Sequence, residues 1–326
     1  MDIEILLALQ QFREGAGGFL AEFLNKMTFL GDLYTAPVIM AVVYWCVSKD
    51  FGTYLLLGWS GNRIVNGALK VNACAYRPWT RDARIVPYGN SINTATGYSF
   101  PSGHSMNAAT VFGGGVVRRE LPRALRVTLA LIVVLVAFSR IYLGVHTPQD
   151  VLVGMAAGLA VMWATARLMR WLEEHPEKDV LVAVIGLGIA VLVALYAGFK
   201  SYPKDYDAAG NLLVDGMKMA NDTFKCVGWC AAILLGWILE RRFVKFTTDV
   251  PLPIRLTRLA VGMLSYYAVS LIVVPLLKSW IGGPAGIMVS CFVQLFYIVF
   301  CFPWLIVRME RGVPLLHESV QQSKRV

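Results

Sequence analysis

The feature that most constrains this chain is a succession of apolar runs near the length that crosses a bilayer. They lie at about 33–47, 51–70, 103–119, 124–142, 149–171, 180–199, 223–240, 256–278 and 284–307. Roughly 20 apolar residues carry a helix across a hydrocarbon core. Composition agrees, since 57% of the 326 residues are hydrophobic, only 16% are charged, and the mean hydropathy is +0.58. A soluble globular chain of this length is less apolar. The pattern predicts an all-α, polytopic transmembrane helical bundle of about nine spans, the first being the shortest.

The rest of the chain is organised around those runs. Residues 2–12 are amphipathic and suit the membrane interface, and 17–31 are apolar but carry Glu22 and Lys26, as an interfacial or partly inserted helix would. The expected units are 1–32 as interfacial N-terminal helices, 33–199 as a membrane core, 200–222 as an outer loop, 223–308 as three additional spans and 309–326 as a cytoplasmic tail. The 200–222 loop reads as a solvated connector rather than a lid over a site. Gly113-Gly114-Gly115 in the third run predicts close helix packing. Cys46, Cys74, Cys226, Cys230, Cys291 and Cys301 lack zinc-ligand spacing and read as small buried hydrophobes. The acidic start Met1-Asp2-Ile3-Glu4 lacks the basic head of a cleavable signal.

The net charge of +9 does not point to nucleic acid. The basic residues sit in short inter-helix loops, where topology and anionic head groups account for them. With nine spans, loops 116–126, 167–178 and 241–258 share one side with Lys49 and the tail pair Lys324-Arg325. That side is expected to be cytoplasmic. Residues 71–101, 143–148, 200–222 and 279–283 then face outward. Arg77, Arg81 and Arg84 break the charge rule on that outer face, which suggests an anion site there. His175 and His317 fall in polar inner segments and read as solvated surface residues.

Three stretches on the outer face carry chemistry. Lys70 ends the second run and is followed by Arg77-Pro78. Pro101-Ser102-Gly103-His104 opens the third run. A helix start of this kind leaves backbone N–H groups free for phosphate, although Ser102 equally suits an ordinary N-cap. Ser139-Arg140 closes the fourth run, and His146-Thr147-Pro148-Gln149-Asp150 opens the fifth. Thr147 suits an N-cap, Pro148 the first turn and Asp150 the third helical position, which brings its carboxylate back toward His146. Lys70, Arg77 and Arg140 can cradle phosphate oxygens. A neutral histidine can attack phosphorus while a protonated one supplies the leaving group's proton. No acidic cluster suited to Mg²⁺ falls on this face, so no metal or other cofactor is expected.

These three stretches, in this order, resemble the signature motifs of the type 2 phosphatidic acid phosphatase superfamily over about residues 33–199. The resemblance implies a helical membrane core and metal-independent removal of phosphate from lipid phosphates through a phosphohistidine. It implies His146 as nucleophile, Asp150 as its orienting partner and His104 as general acid. It implies Lys70, Arg77, Ser102, Gly103 and Arg140 as phosphate ligands. Soluble vanadium haloperoxidases share the motifs, but the membrane spans argue against that branch.

The expected protein is therefore an integral plasma-membrane lipid phosphate phosphatase with its site on the periplasmic or extracellular face. Its partners are a lipid phosphate and membrane lipids. Phosphatidic acid, phosphatidylglycerol phosphate, undecaprenyl diphosphate and sphingosine-1-phosphate are candidate substrates. Residues 79–100, with Trp79, Tyr88, Asn90, Asn93 and Tyr98, are expected to shape head-group choice. Transfer of phosphate to a hydroxyl acceptor, or a non-catalytic lipid transporter or sensor, are the alternatives. Residues 223–307 bear no signature of their own; widening a lipid groove, forming a homodimer face or serving as a second module are their open roles.

Overall fold

The computed structural model describes residues 2–118 and 120–310. Arg119, His317, Lys324-Arg325 and most of the expected cytoplasmic tail lie outside the described residues. Twelve helices carry the fold. They are α1 Asp2–Gly15, α2 Gly18–Gly31, α3 Thr35–Val47, α4 Lys49–Ala73, α5 Gly103–Val111, α6 Gly113–Val117, α7 Arg123–Tyr142, α8 Pro148–Glu174, α9 Pro176–Phe199, α10 Gly216–Val244, α11 Leu252–Ile281 and α12 Gly283–Glu310. The described residues contain no strand, only a lone antiparallel bridge between Tyr206 and Leu212.

The all-α bundle is as the apolar runs predict, but the number nine is not confirmed. Six helices, α7 to α12, are long and apolar enough to cross a membrane. A seventh is reached if α2 and α3, which meet at 62°, count as one bent span. The shortfall falls on α4 and on the run 103–119. α4 has 25 residues, enough length to cross, but carries Lys49, Asp50, Arg63 and Lys70. It is enclosed by other helices, with Tyr54, Trp59 and Asn62 wholly buried. The 103–119 run is interrupted at Phe112, and every residue from His104 to Val111 is buried. Helices surrounded by protein can carry polar groups that a lipid-facing helix cannot. By contrast, only 17% of the apolar window in α9 and 11% of that in α11 is buried, so these helices present their apolar surface to lipid.

Small residues let the enclosed helices approach one another. A Cβ on Gly114 would lie 2.8 Å from Met162 and 2.9 Å from Leu55, and one on Gly115 would lie 2.5 Å from Leu129. The glycine run is thus the close-packing point its composition predicts. α10 plays the same part farther along. It packs against α4 on one side and α12 on the other, and a Cβ on Gly228 would lie 2.3 Å from the Met288 carbonyl. The additional spans are therefore wedded to the core rather than appended to it. At the N-terminus, Arg13 of α1 is buried and donates to the carbonyls of Tyr142 (2.9 Å) and Val86 (2.7 Å). α1 is thereby tied to the turn that follows α7.

The end of the bundle opposite Tyr142 is held by ion pairs. Glu240 is fully buried, meets Lys49 Nζ at 2.7 Å and accepts the Phe246 N–H at 3.1 Å. Arg258 meets Glu310 at 2.7 Å, and Arg242 meets Asp179 at 3.1 Å. Glu240→Ala should strand both the Lys49 ammonium and the Phe246 amide. The expected loss is about 2–3 kcal/mol, below the ~3–5 kcal/mol of a fully enclosed pair because Lys49 keeps some contact with solvent. Thermal unfolding in detergent measures this; an unchanged melting temperature would show that water replaces the carboxylate.

Candidate active site

The turn between α7 and α8 builds the centre of the site from local rules. Thr147 caps α8, its Oγ1 accepting the Asp150 N–H at 3.3 Å while Asp150 Oδ2 accepts the Thr147 N–H at 2.9 Å. This reciprocal cap turns the carboxylate back along the chain. Asp150 Oδ2 thus comes to 3.3 Å from His146 Nδ1. Ser99 joins them from the preceding loop, its hydroxyl 2.5 Å from Asp150 Oδ2 and 3.3 Å from His146 Nδ1. On the far side of the ring, Arg77 donates to His146 Nε2 at 2.9 Å. A guanidinium has no acceptor atom, so Nε2 must present its lone pair and the ring proton must sit on Nδ1, facing Asp150. That is the tautomer a nucleophilic Nε2 requires.

Arg77 is fixed by three backbone carbonyls, those of Gly97 (3.0 Å), Val145 (3.0 Å) and Thr96 (3.1 Å). Lys70, at the end of α4, donates to the carbonyls of Tyr98 (2.7 Å) and Ser99 (3.4 Å). Among the described residues neither side chain pairs with a carboxylate, and neither does Arg140. Burial pushes the Arg77 guanidinium down to about 10, which leaves it charged at neutral pH. Burial first, and then the adjacent Arg77 charge, hold His146 well below the usual imidazole range. Arg140 is wholly buried; among the described residues its one side-chain hydrogen bond is a 3.5 Å approach to Thr94 Oγ1, and its Nε and remaining NH group have no hydrogen-bond partner.

α5 starts at the same place. Ser102 is its N-cap, with Oγ accepting from the Ser105 N–H (3.4 Å) and from the Ser105 hydroxyl (2.9 Å). The Ser102 N–H donates to the Asp150 carbonyl at 2.9 Å. Ser102 therefore serves as a cap that ties α5 to α8, and its amide, which the motif predicts to be free for phosphate, is instead taken by the Asp150 carbonyl. The outward-facing amides of this end are those of Gly103 and His104, which a helix leaves without an internal partner. A Cβ on Gly103 would meet only Asn66 Oδ1, at 3.8 Å, so the cavity stays open beside it. His104 is buried with Nε2 unpaired, 3.9 Å from Asp32 Oδ2.

Lys70, Arg77, Gly103, His104 and His146 line one cavity of about 320 Å³. Asp150 and Ser102 stand behind that wall, and Arg140 is enclosed beside it. The structure thus gathers every residue singled out from the motifs at one end of the bundle. It adds others that carry no local signature. Ser99 bridges the His146–Asp150 pair, Asp32 sits at the α2–α3 bend facing His104, and Arg63 and Asn66 line the cavity from α4. Of the 79–100 loop residues named above, Asn93 reaches the cavity, Tyr98 presents its carbonyl to Lys70, Trp79 stacks against Arg77, and Tyr88 turns away to Arg13. Residues 216–222 are helical rather than a solvated connector. Lys218, Asp222 and Lys225 of α10 form the cavity's outer wall, with Lys225 2.6 Å from Asp222. Charge at the first turns of an otherwise apolar helix was the available signal.

A family model described as PAP2 superfamily matches residues 51–174, and one described as PAP2 superfamily phosphatase, transmembrane extension, matches residues 224–313. Phosphatidylglycerophosphatase B of Bacillus subtilis is 31% identical over 157 residues, which is 44% of this chain and 73% of that protein. Undecaprenyl-diphosphatase of Sulfolobus acidocaldarius is 33% identical over 73 residues, 22% of this chain and 34% of that protein. The crystal structure of a transmembrane PAP2-type phosphatidylglycerolphosphate phosphatase from Bacillus subtilis aligns with a TM-score of 0.44 at 30% identity, over 52% of this chain and 85% of that one.

Proposed function

The chain belongs to the PAP2 superfamily and is a multi-pass membrane phosphatase, and from that premise we propose that it cleaves the phosphomonoester or diphosphate end of a lipid through a phosphohistidine on His146. The observation that carries this reading is the disposition of the His146 ring: Nε2 faces Arg77 and the cavity while Nδ1 faces Asp150. The substrate phosphate takes over the Arg77 guanidinium and frees the Nε2 lone pair. Nε2 attacks phosphorus, the bond from phosphorus to the lipid oxygen breaks, and His104 gives that oxygen its proton. Asp150 holds the ring as it gains positive charge. Water then attacks the phosphohistidine, His104 takes a proton from it, and inorganic phosphate leaves. Lys70, Arg77, Arg140 and the α5 amides stabilise the charge on the transferring group. These fixed cations supply electrostatic stabilisation without a metal ion.

The site faces the periplasm or exterior of the plasma membrane in this reading. Its support is charge: the basic loops at 116–126, 167–178 and 241–258 lie at the opposite helix ends from His146. One experiment tests both points. Sealed right-side-out vesicles holding the protein receive a non-permeant short-chain lipid phosphate outside, with EDTA present. We expect phosphate release at once from these vesicles and, from inverted vesicles, only after permeabilisation. Release equal to that of His146→Ala vesicles would sink the phosphatase reading. Loss of release with EDTA would sink the metal-free mechanism, and release from intact inverted vesicles would reverse the orientation.

A further inference from the structure

A second cavity of about 500 Å³ adjoins the first. Its walls are the start of α3, with Thr35 and Val38, the middle of α11 and the first half of α12. Most of its lining is apolar. Phe29, Tyr34, Tyr267 and Leu271 at its rim are 66%, 64%, 49% and 73% exposed, on a face that a membrane covers with lipid chains. The two cavities share three residues, Tyr34, Lys225 and Trp229. Tyrosine, lysine and tryptophan are the side chains that belong where head groups meet hydrocarbon, each with an apolar body and a polar end. Trp229 is 3% exposed and its indole Nε1 has no acceptor among the described residues. A buried donor without a partner, set where a charged chamber adjoins an apolar one, suits an oxygen at the head-group end of a lipid.

We propose that this groove holds the hydrocarbon chain of the lipid whose phosphate occupies the His146 cavity. The additional spans are then the chain-recognition half of the enzyme. The inference rests on the phosphatase reading and deepens it. Three observations select a substrate chain as occupant. The groove abuts the phosphate cavity, and the two share the side chains of Tyr34, Lys225 and Trp229. The phosphate cavity is cationic and the groove beside it is mainly apolar, with Lys225 and Lys278 as its cations, so the pair matches the charged and apolar ends of a lipid phosphate. The groove's volume falls within the range of ligand-holding pockets. The phosphate lies against Lys70 and Arg77, the linkage oxygens pass Lys225 and Trp229, and the chain leaves between α3 and α11 into the bilayer. α10 gives both chambers a common wall, which couples head-group position to chain position.

The test compares two substrates in the full-length purified protein: a lipid phosphate with sixteen-carbon chains and a water-soluble one with four-carbon chains. Ser270→Trp on α11 and Ile287→Trp on α12 obstruct the groove from two walls. Each should lower kcat/KM for the long-chain substrate at least tenfold and leave the short-chain value, which also reports correct folding, within about twofold. A second readout needs no turnover. A long-chain lipid phosphate with a diazirine near its chain end, bound to His146→Ala protein, should label peptides of α11 and α12. Equal effects of the obstructing variants on both substrates, or labelling confined to helices that do not wall the groove, would overturn the groove while leaving the phosphatase intact. A wild-type protein that hydrolyses neither substrate would overturn the function and the groove together.

Discussion

His146→Ala should lower kcat/KM by about 10⁴-fold or more if His146 is the proposed covalent nucleophile, since such a residue has no substitute. Phosphate release from the purified variant measures this, and a melting temperature near that of the wild type separates lost chemistry from lost fold. Residual activity within about tenfold of wild type would remove His146 from the nucleophile's role. The same residue governs the pH profile. Burial and Arg77 hold its folded-state value well below the 6.5 of a free imidazole, so Nε2 stays unprotonated below that pH. The acid limb of kcat/KM should therefore lie below pH 6.5; a limb above 6.5 would contradict it. Stability carries the matching sign. Below about pH 6.5 the unfolded chain takes up a proton that the native ring refuses, so this residue makes the fold less stable as pH falls and has no effect above that window.

Arg140→Leu should separate activity from stability. Arg140 is wholly buried and, in the described structure, two of its three nitrogens have no partner. An unpaired guanidinium away from water costs free energy that folding must supply from elsewhere. Leucine removes that cost, so the melting temperature should hold or rise. Activity should fall about 10³-fold, the upper end for loss of one transition-state donor, because a guanidinium fork supplies two. Arg140→Lys keeps the charge but not the fork and should fall between. A parallel drop in melting temperature would show that Arg140 is structural and that the phosphate cradle does without it.

The opposite signs of those two effects explain why such a charge could be noticed in the sequence. Arg140 ends an apolar helix where a structural residue would be apolar, and His146 and Asp150 lie just beyond it. Their mutual geometry follows from neighbours in the chain: Thr147 caps, Pro148 starts the turn, and Asp150 at the third position reaches back. The same local rules made Ser102 ambiguous, since an N-cap and an anion site begin with the same residues. Only a neighbour across the fold, the Asp150 carbonyl that takes the Ser102 N–H, decides for the cap. The count of nine spans is not confirmed for a related reason. Hydropathy reports what faces lipid, whereas α4 and α5 are lined on all sides by protein.

The sequence by itself determined the membrane character, the order of the three motifs, the capped turn that sets Asp150 against His146, and the family resemblance that these motifs carry. Each rests on composition or on residues within a few positions of one another, where chain connectivity alone limits the geometry. The tertiary structure decided which way the His146 ring is held, because Arg77 is 69 positions away. It brought in Ser99, 51 positions from Asp150, and placed Asp32 opposite His104. It also closed the cavity with α10 and set an apolar groove, walled by α3, α11 and α12, beside it. Those contacts depend on how helices pack in three dimensions, and packing is set by many side chains at once rather than by any local signature.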